Sequence, residues 1–180
     1  MLAALLAFVG VLVGAILTHL FAISNEWRSR RMEAMVASVT ASIRVLGAHE
    51  GIYHLFLGGS APPLTDDRAI RALTERNDAF TEWRIARARL EIVVPDDECL
   101  RQAIDRFNAV FATADGWVSR YLKEGENFHF ADVAEAEHET WTEMRAARHD
   151  IITRCQIRSR QDARWRERIR LTFSNRLPDT

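Results

Sequence analysis

Histidine and glutamate are the residue types in this chain that could do chemistry, and they gather in two places. Of six histidines, His49 and His54 close one long apolar pattern, while His129 and His138 open the last one. The run HEGIYH looks at first like a zinc-protease helix. However, three residues separate Glu50 from His54 where that motif has two, so its imidazoles do not share a helix face. Glu126 with His129, and Glu135 with His138, have the i, i+3 spacing found in di-iron helix bundles. Such sites draw the motif from two helices and a further glutamate from each of the other two. Here both copies fall on one short segment.

Glu50 and His54, at i and i+4, do share a helix face, and a bundle could bring them towards Glu135 and His138. Imidazole and carboxylate together suit zinc, iron or nickel, so these four are the candidates for a mononuclear metal site. The competing reading is a polar helix tip wetted by water, and it is the one adopted: no cofactor is expected. Other catalytic frames are missing. LGGSAPP lacks the lysine and spacing of a phosphate-binding loop, and neither G-x-S-x-G nor G-x-G-x-x-G occurs. Cys99 and Cys155 lie far apart, as two reduced and packed thiols would. Trp83, Trp117 and Trp141 are expected to fill a core. No enzyme is expected.

The elements that must position these residues are all helical. Of 180 residues, the first 23 carry no charged side chain, and Arg28, Arg30 and Arg31 follow directly. Leu2 to Ile23 would rise about 33 Å as a helix, enough for a hydrocarbon core of about 30 Å. Nothing basic precedes it and no small-residue cleavage pattern ends it, which argues for a retained transmembrane helix over a cleaved signal. The arginine flank predicts the N-terminus outside and the remainder cytoplasmic, with Trp27 at headgroup level. Ala3, Ala7, Gly10, Gly14 and Thr18 form a small-residue stripe. Gly10 and Gly14 make the G-x-x-x-G that allows two spans to pack closely, so a homodimer is a possible partner.

Beyond the anchor, apolar residues recur at helical spacing and no stretch alternates with period two. Met32, Met35, Val36, Val39, Ile43, Leu46 and Tyr53 predict a first helix over 24–57, continuous with the span. Ile70, Leu73, Phe80, Trp83 and Leu90 mark a second over 67–94, capped by Asp66 or Asp67 and closed by Pro95. Leu100, Ile104, Phe107, Phe111, Val118 and Tyr121 mark a third over 97–124, begun by Asp96 or Asp97 and stopped at Gly125. Val133, Trp141, Met144, Ile151, Cys155, Trp165 and Ile169 mark a fourth over 131–171. Short connections favour antiparallel neighbours. The fold class is therefore all-α: a transmembrane helix over 1–23 running into an up-down four-helix bundle over 24–174, with 175–180 frayed. Arg84, Arg87 and Arg89 are expected on the wet side of the second helix, within reach of Asp97, Glu98 or Asp105.

Charge adds a direction. The net charge is -1, yet acids fill the segment from Glu124 to Glu143 and arginines dominate from Arg145 onward. An up-down bundle would bring the arginine-rich end of the fourth helix back to the bilayer. There Arg164, Trp165, Arg166, Arg168 and Arg170 would join Trp27, Arg28, Arg30 and Arg31 against anionic headgroups. Nucleic acid is discounted as a partner because acids balance the arginines. Two function classes follow. One is a membrane-anchored adaptor, scaffold or accessory subunit that binds a protein partner at the inner face. The other is a metal- or ligand-binding sensor built on the distal His/Glu cluster.

Overall fold

The structure is a computed structural model that describes residues 2–56, 62–132 and 134–174. Side chains are described from 12 to 164 within those ranges, apart from 126 and 132. Four helices account for nearly all of it: α1 (Leu2–Phe56), α2 (Asp67–Val93), α3 (Glu98–Glu124) and α4 (Ala134–Ser174). Two short 3-10 turns, Gly125–Asn127 and Phe130–Asp132, join α3 to α4. Among the described residues there is no strand. The helices form a bundle in which α1 packs on α2 and α4, and α3 packs on α4. Large side chains bridge α2 and α3: Trp83 meets Phe107 and Phe80 stacks on Phe111.

The starts and stops have local causes. Asp66 caps α2 by accepting from the Arg68 backbone N–H at 2.8 Å, and Asp97 caps α3 by accepting from Leu100 N–H at 3.0 Å. Pro95 follows α2 directly, where it cannot continue the hydrogen-bond ladder. Gly125 ends α3 at φ 57°, ψ −126°, a backbone conformation open to glycine and strained for other residues.

On the first two helices Met35, Leu46, Trp83 and Leu90 are buried as expected, but the inward faces include other residues too. On α1, Val36 and Ile43 are exposed, while Ala34, Ser38, Ala41, Val45, Ala48 and Ile52 are buried. On α2, Ile70 is exposed, and Ala69, Ala79 and Ala86 are buried beside Trp83 and Leu90. Small residues on both sides let these two helices pack closely, and Ser38 Oγ donates to the Ala86 carbonyl at 3.1 Å within the seam. Large residues carry the periodicity, whereas close packing of two helices also selects small ones. On α3 all six expected positions are buried. On α4, Met144, Ile151 and Cys155 are buried and Trp141 is half-buried.

The start of α4 also differs. The chain from Phe128 to Phe130 turns inward before α4 begins at Ala134, and both phenylalanines are buried. They join Ile52, Phe56, Trp117, Val118 and Tyr121 in a distal aromatic cluster, separate from the larger core below it. Phe56 sits at its centre, with ring contacts to Trp117, Tyr121, Phe128 and Phe130. Tyr121 also donates its hydroxyl to the Pro62 carbonyl at 2.7 Å, tying the α1–α2 connection to the tip.

The expected span lies partly on residues 1–11, whose side chains fall outside the described set, as do Val133, Trp165, Ile169 and the tail 175–180. Among the described residues no helix is long and apolar enough to cross a membrane. From Leu12 to Ile23 every residue of α1 is exposed.

Candidate functional site

The four candidate metal ligands do not converge. Glu50 and His54 pair along their own helix, 3.7 Å apart and open to solvent. Glu135 and His138 are both exposed on the first turns of α4. His129 is exposed too, and the Glu126 side chain lies outside the described residues. No cluster of three or more His, Cys, Asp or Glu suited to a metal ion occurs among the described residues.

The structure instead joins their immediate neighbours. His49 Nε2 donates to Glu137 Oε1 at 2.5 Å, and the two side chains are 0% and 2% exposed. His49 stacks on Trp141 and meets Trp117 and Phe111 edge-on, so its imidazole is walled by aromatic rings. Its other nitrogen, Nδ1, has no hydrogen-bond partner. The bond links α1 to α4 where the main core gives way to the aromatic tip. A general base has to reach its substrate, and a side chain with no exposed surface cannot do so. What this arrangement can do is fasten two helices in a fixed register.

Sequence reasoning passed over this pair because Glu50-x-x-x-His54 and Glu135-x-x-His138 drew attention to spacing within a helix. A different signal was present. His49 occupies the stripe Met35, Ser42, His49, Phe56, and Glu137 the stripe Glu137, Met144, Ile151, each repeating every seven residues. A polar side chain at such a position is buried and must find a partner.

A buried guanidinium sits between α2 and α3. Arg76 is 5% exposed, pairs with Asp115 and lies over the Phe111 ring at 4.8 Å. Above it, Trp83 donates its indole N–H to Asn108 at 2.8 Å. The wet face of α2 is as expected in kind: Arg84 and Arg89 are exposed, while Arg87 reaches Glu91 at 2.7 Å and Asp105 at 3.7 Å.

The basic collar at the other end is only partly described. Trp27 is exposed, with the Arg30 guanidinium 5.9 Å from its ring centre, and Arg30 also pairs with Glu26 at 2.5 Å. Arg28 and Arg31 are half-buried, and Arg31 lies 3.9 Å from Asp162 of α4. Arg164 is exposed, whereas the side chains of Trp165, Arg166, Arg168 and Arg170 lie outside the described residues. Of the two span glycines, Gly10 is likewise outside, and Gly14 has open space where a side chain would stand. Comparison with protein families, with curated proteins and with solved structures finds no match.

Proposed function

We propose that this chain is a single-pass membrane protein whose helical bundle serves, without catalysis, as an adaptor, scaffold or accessory subunit at the inner membrane face. One observation carries the anchor. Between Leu12 and Ile23 only Thr18 and His19 are polar, yet Leu12, Ile16 and Leu20 are 51%, 51% and 56% exposed. A helix that is apolar on all sides is stable in a core or in lipid, and water would penalise it. Thr18 fits lipid as well, since its hydroxyl donates to the Gly14 carbonyl at 2.8 Å within the same helix. Residues 2–11 extend this helix and continue the uncharged sequence, which gives the length a bilayer needs.

Orientation rests on the arginines that follow the apolar stretch, with the N-terminus outside and the bundle in the cytoplasm. The interaction role is supported by an open apolar groove of about 330 Å³ between α1 and α4, where Met32, Val36, Val39 and Ile152 come to the surface. The sensor reading has no comparable support, because its four residues open onto solvent separately. Fractionation and protease shaving test the proposal together. Full-length protein should stay with membranes through an alkaline wash and should resist protease added outside intact cells. Release by the wash refutes the anchor, and digestion of the bundle from outside refutes the orientation.

A further inference from the structure

Where α1 leaves its apolar stretch, it parts from α4 around a cleft of about 520 Å³. Ser24, Trp27, Arg28 and Arg31 line one wall, and Arg158, Gln161 and Asp162 line the other. Among the described residues, Arg31 and Arg158 meet one carboxylate there, Asp162. The carboxylate does not saturate them: Arg31 lies 3.9 Å from Asp162, beyond hydrogen-bond length, and Arg158 has no ion-pair partner among the described residues. Nε of Arg31, Nε of Arg158 and Oδ2 of Asp162 are all buried without a hydrogen-bond partner. Buried donors on a cation are rarely left unmade, so two donors and one acceptor in one cleft describe the outline of a missing ligand.

We propose that this cleft binds the phosphate of an anionic phospholipid headgroup that also carries a hydroxyl. Guanidinium forks match phosphate oxygens in pairs, which satisfies the two Nε donors. The orphaned Asp162 oxygen needs a donor in return. A hydroxyl supplies one without cancelling the ligand's negative charge, whereas the ammonium of an ethanolamine headgroup would leave the cationic cleft facing a neutral ligand. Depth agrees, because Ser24 follows the last apolar residue of the exposed stretch and Trp27 marks the next turn. The inference rests on the anchored reading above. It moves headgroup recognition from the arginines at the end of α4 to a built cleft that includes Arg158.

Native mass spectrometry of the full chain in neutral detergent tests it, with phosphatidylglycerol, phosphatidylcholine and inorganic phosphate offered separately. The wild type should retain phosphatidylglycerol. Arg158→Gln and Arg31→Gln should each lower the retained fraction about tenfold. Arg160→Gln, which alters an exposed arginine on the neighbouring groove, should leave it unchanged. Circular dichroism on each variant verifies folding, and Arg158→Lys, which keeps the charge but loses the fork, gives a second reading. Equal retention of both lipids, equal retention by Arg158→Gln, or binding of inorganic phosphate in place of lipid would each overturn the proposal. A chain that remains soluble without detergent refutes the anchor itself, a result separable from loss of lipid selectivity alone.

Discussion

His49 and Glu137 form a buried polar bond between α1 and α4, and their surroundings decide what their loss would cost. Removing one partner of a buried pair leaves the other desolvated with nothing to bond, which costs about 1–3 kcal/mol and more for a charged group. Glu137→Ala should therefore lower the unfolding free energy by about 3 kcal/mol, read from denaturant melts of the full chain in detergent. Replacing both by leucine fills the same volume without an orphan and should return to within about 1 kcal/mol of the wild type. A harmless Glu137→Ala would mean that the bond does not hold α1 to α4. The two cysteines offer a second residue-scale measurement. Cys99 is exposed and Cys155 is buried, where desolvation, followed by the Asp97 carboxylate, pushes the thiol from its ordinary 9.0 up to about 11. Near pH 8 a maleimide should label Cys99 alone in the folded chain and both thiols after denaturation. Because the folded pKa is raised, Cys155 contributes stability in full below pH 9.0, and that contribution is lost as pH rises through about 11. Burial raises the Tyr121 hydroxyl as well, with Asp66 second, and acts in the same direction at higher pH. Stability should stay level to about pH 9 and then fall, and Cys155→Ala should remove part of the fall.

Each helix was legible to a different degree, and α3 shows why. Its apolar residues are large and lie along one stripe, so periodicity alone identified Leu100, Ile104, Phe107, Phe111, Val118 and Tyr121 as inward. The ends of α2 and α3 were equally legible, since aspartate caps, Pro95 and Gly125 act through local backbone chemistry. The faces of α1 and α2 were legible in part, through Met35, Leu46, Trp83 and Leu90. There Val36, Ile43, Ile70 and Ile85 point outward, and alanines make the seam. Hydrophobicity ranks isoleucine above alanine, but the close approach of two helices rewards the absence of volume, which depends on the partner helix and not on the local pattern. The same limit hid Phe128 and Phe130, whose burial depends on a tip that forms only when α1 and α3 meet. Among the candidate site residues, spacing within one helix misdirected the search, because His49 and Glu137 lie 88 positions apart. A prediction belongs to the seam. Ala79 is 1% exposed on α2, and Ala79→Leu should cost about 1–3 kcal/mol by forcing α1 and α2 apart. Val36→Ala, on the exposed side of the same helix pair, should change the melting midpoint little. If Ala79→Leu melts like the wild type, the seam is looser than its composition implies.

At the scale of the molecule, continuity of α1 would make the proposed anchor and the bundle one mechanical piece. Leu2–Phe56 is a single helix about 80 Å long. A helix crossing the bilayer near its normal would therefore stand the bundle upright, with the acidic, aromatic tip farthest from the lipid. The antiparallel arrangement then assigns every level a height. The groove lined by Arg30, Ala34, Ile92 and Val93 brings the end of α2 beside the start of the α1 bundle segment. In the proposed arrangement, Cys99, at the beginning of α3, would lie close to the headgroups. Leu122, exposed on the last turn of α3, lies about 35 Å farther out. Those heights can be measured in vesicles carrying an acceptor dye on their outer headgroups and the bundle outside. A donor on Cys99 should transfer energy strongly. A donor on Leu122→Cys in a Cys99→Ser background should transfer weakly, since transfer falls with the sixth power of separation. The buried Cys155 stays unlabelled in both cases, so each signal reports one height. Equal transfer from the two positions would mean a bundle lying flat along the surface. That geometry would require α1 to bend between Ile23 and Met32, which an unbroken helix resists. It would also turn the Arg158 cleft away from the phosphates it faces in the upright arrangement.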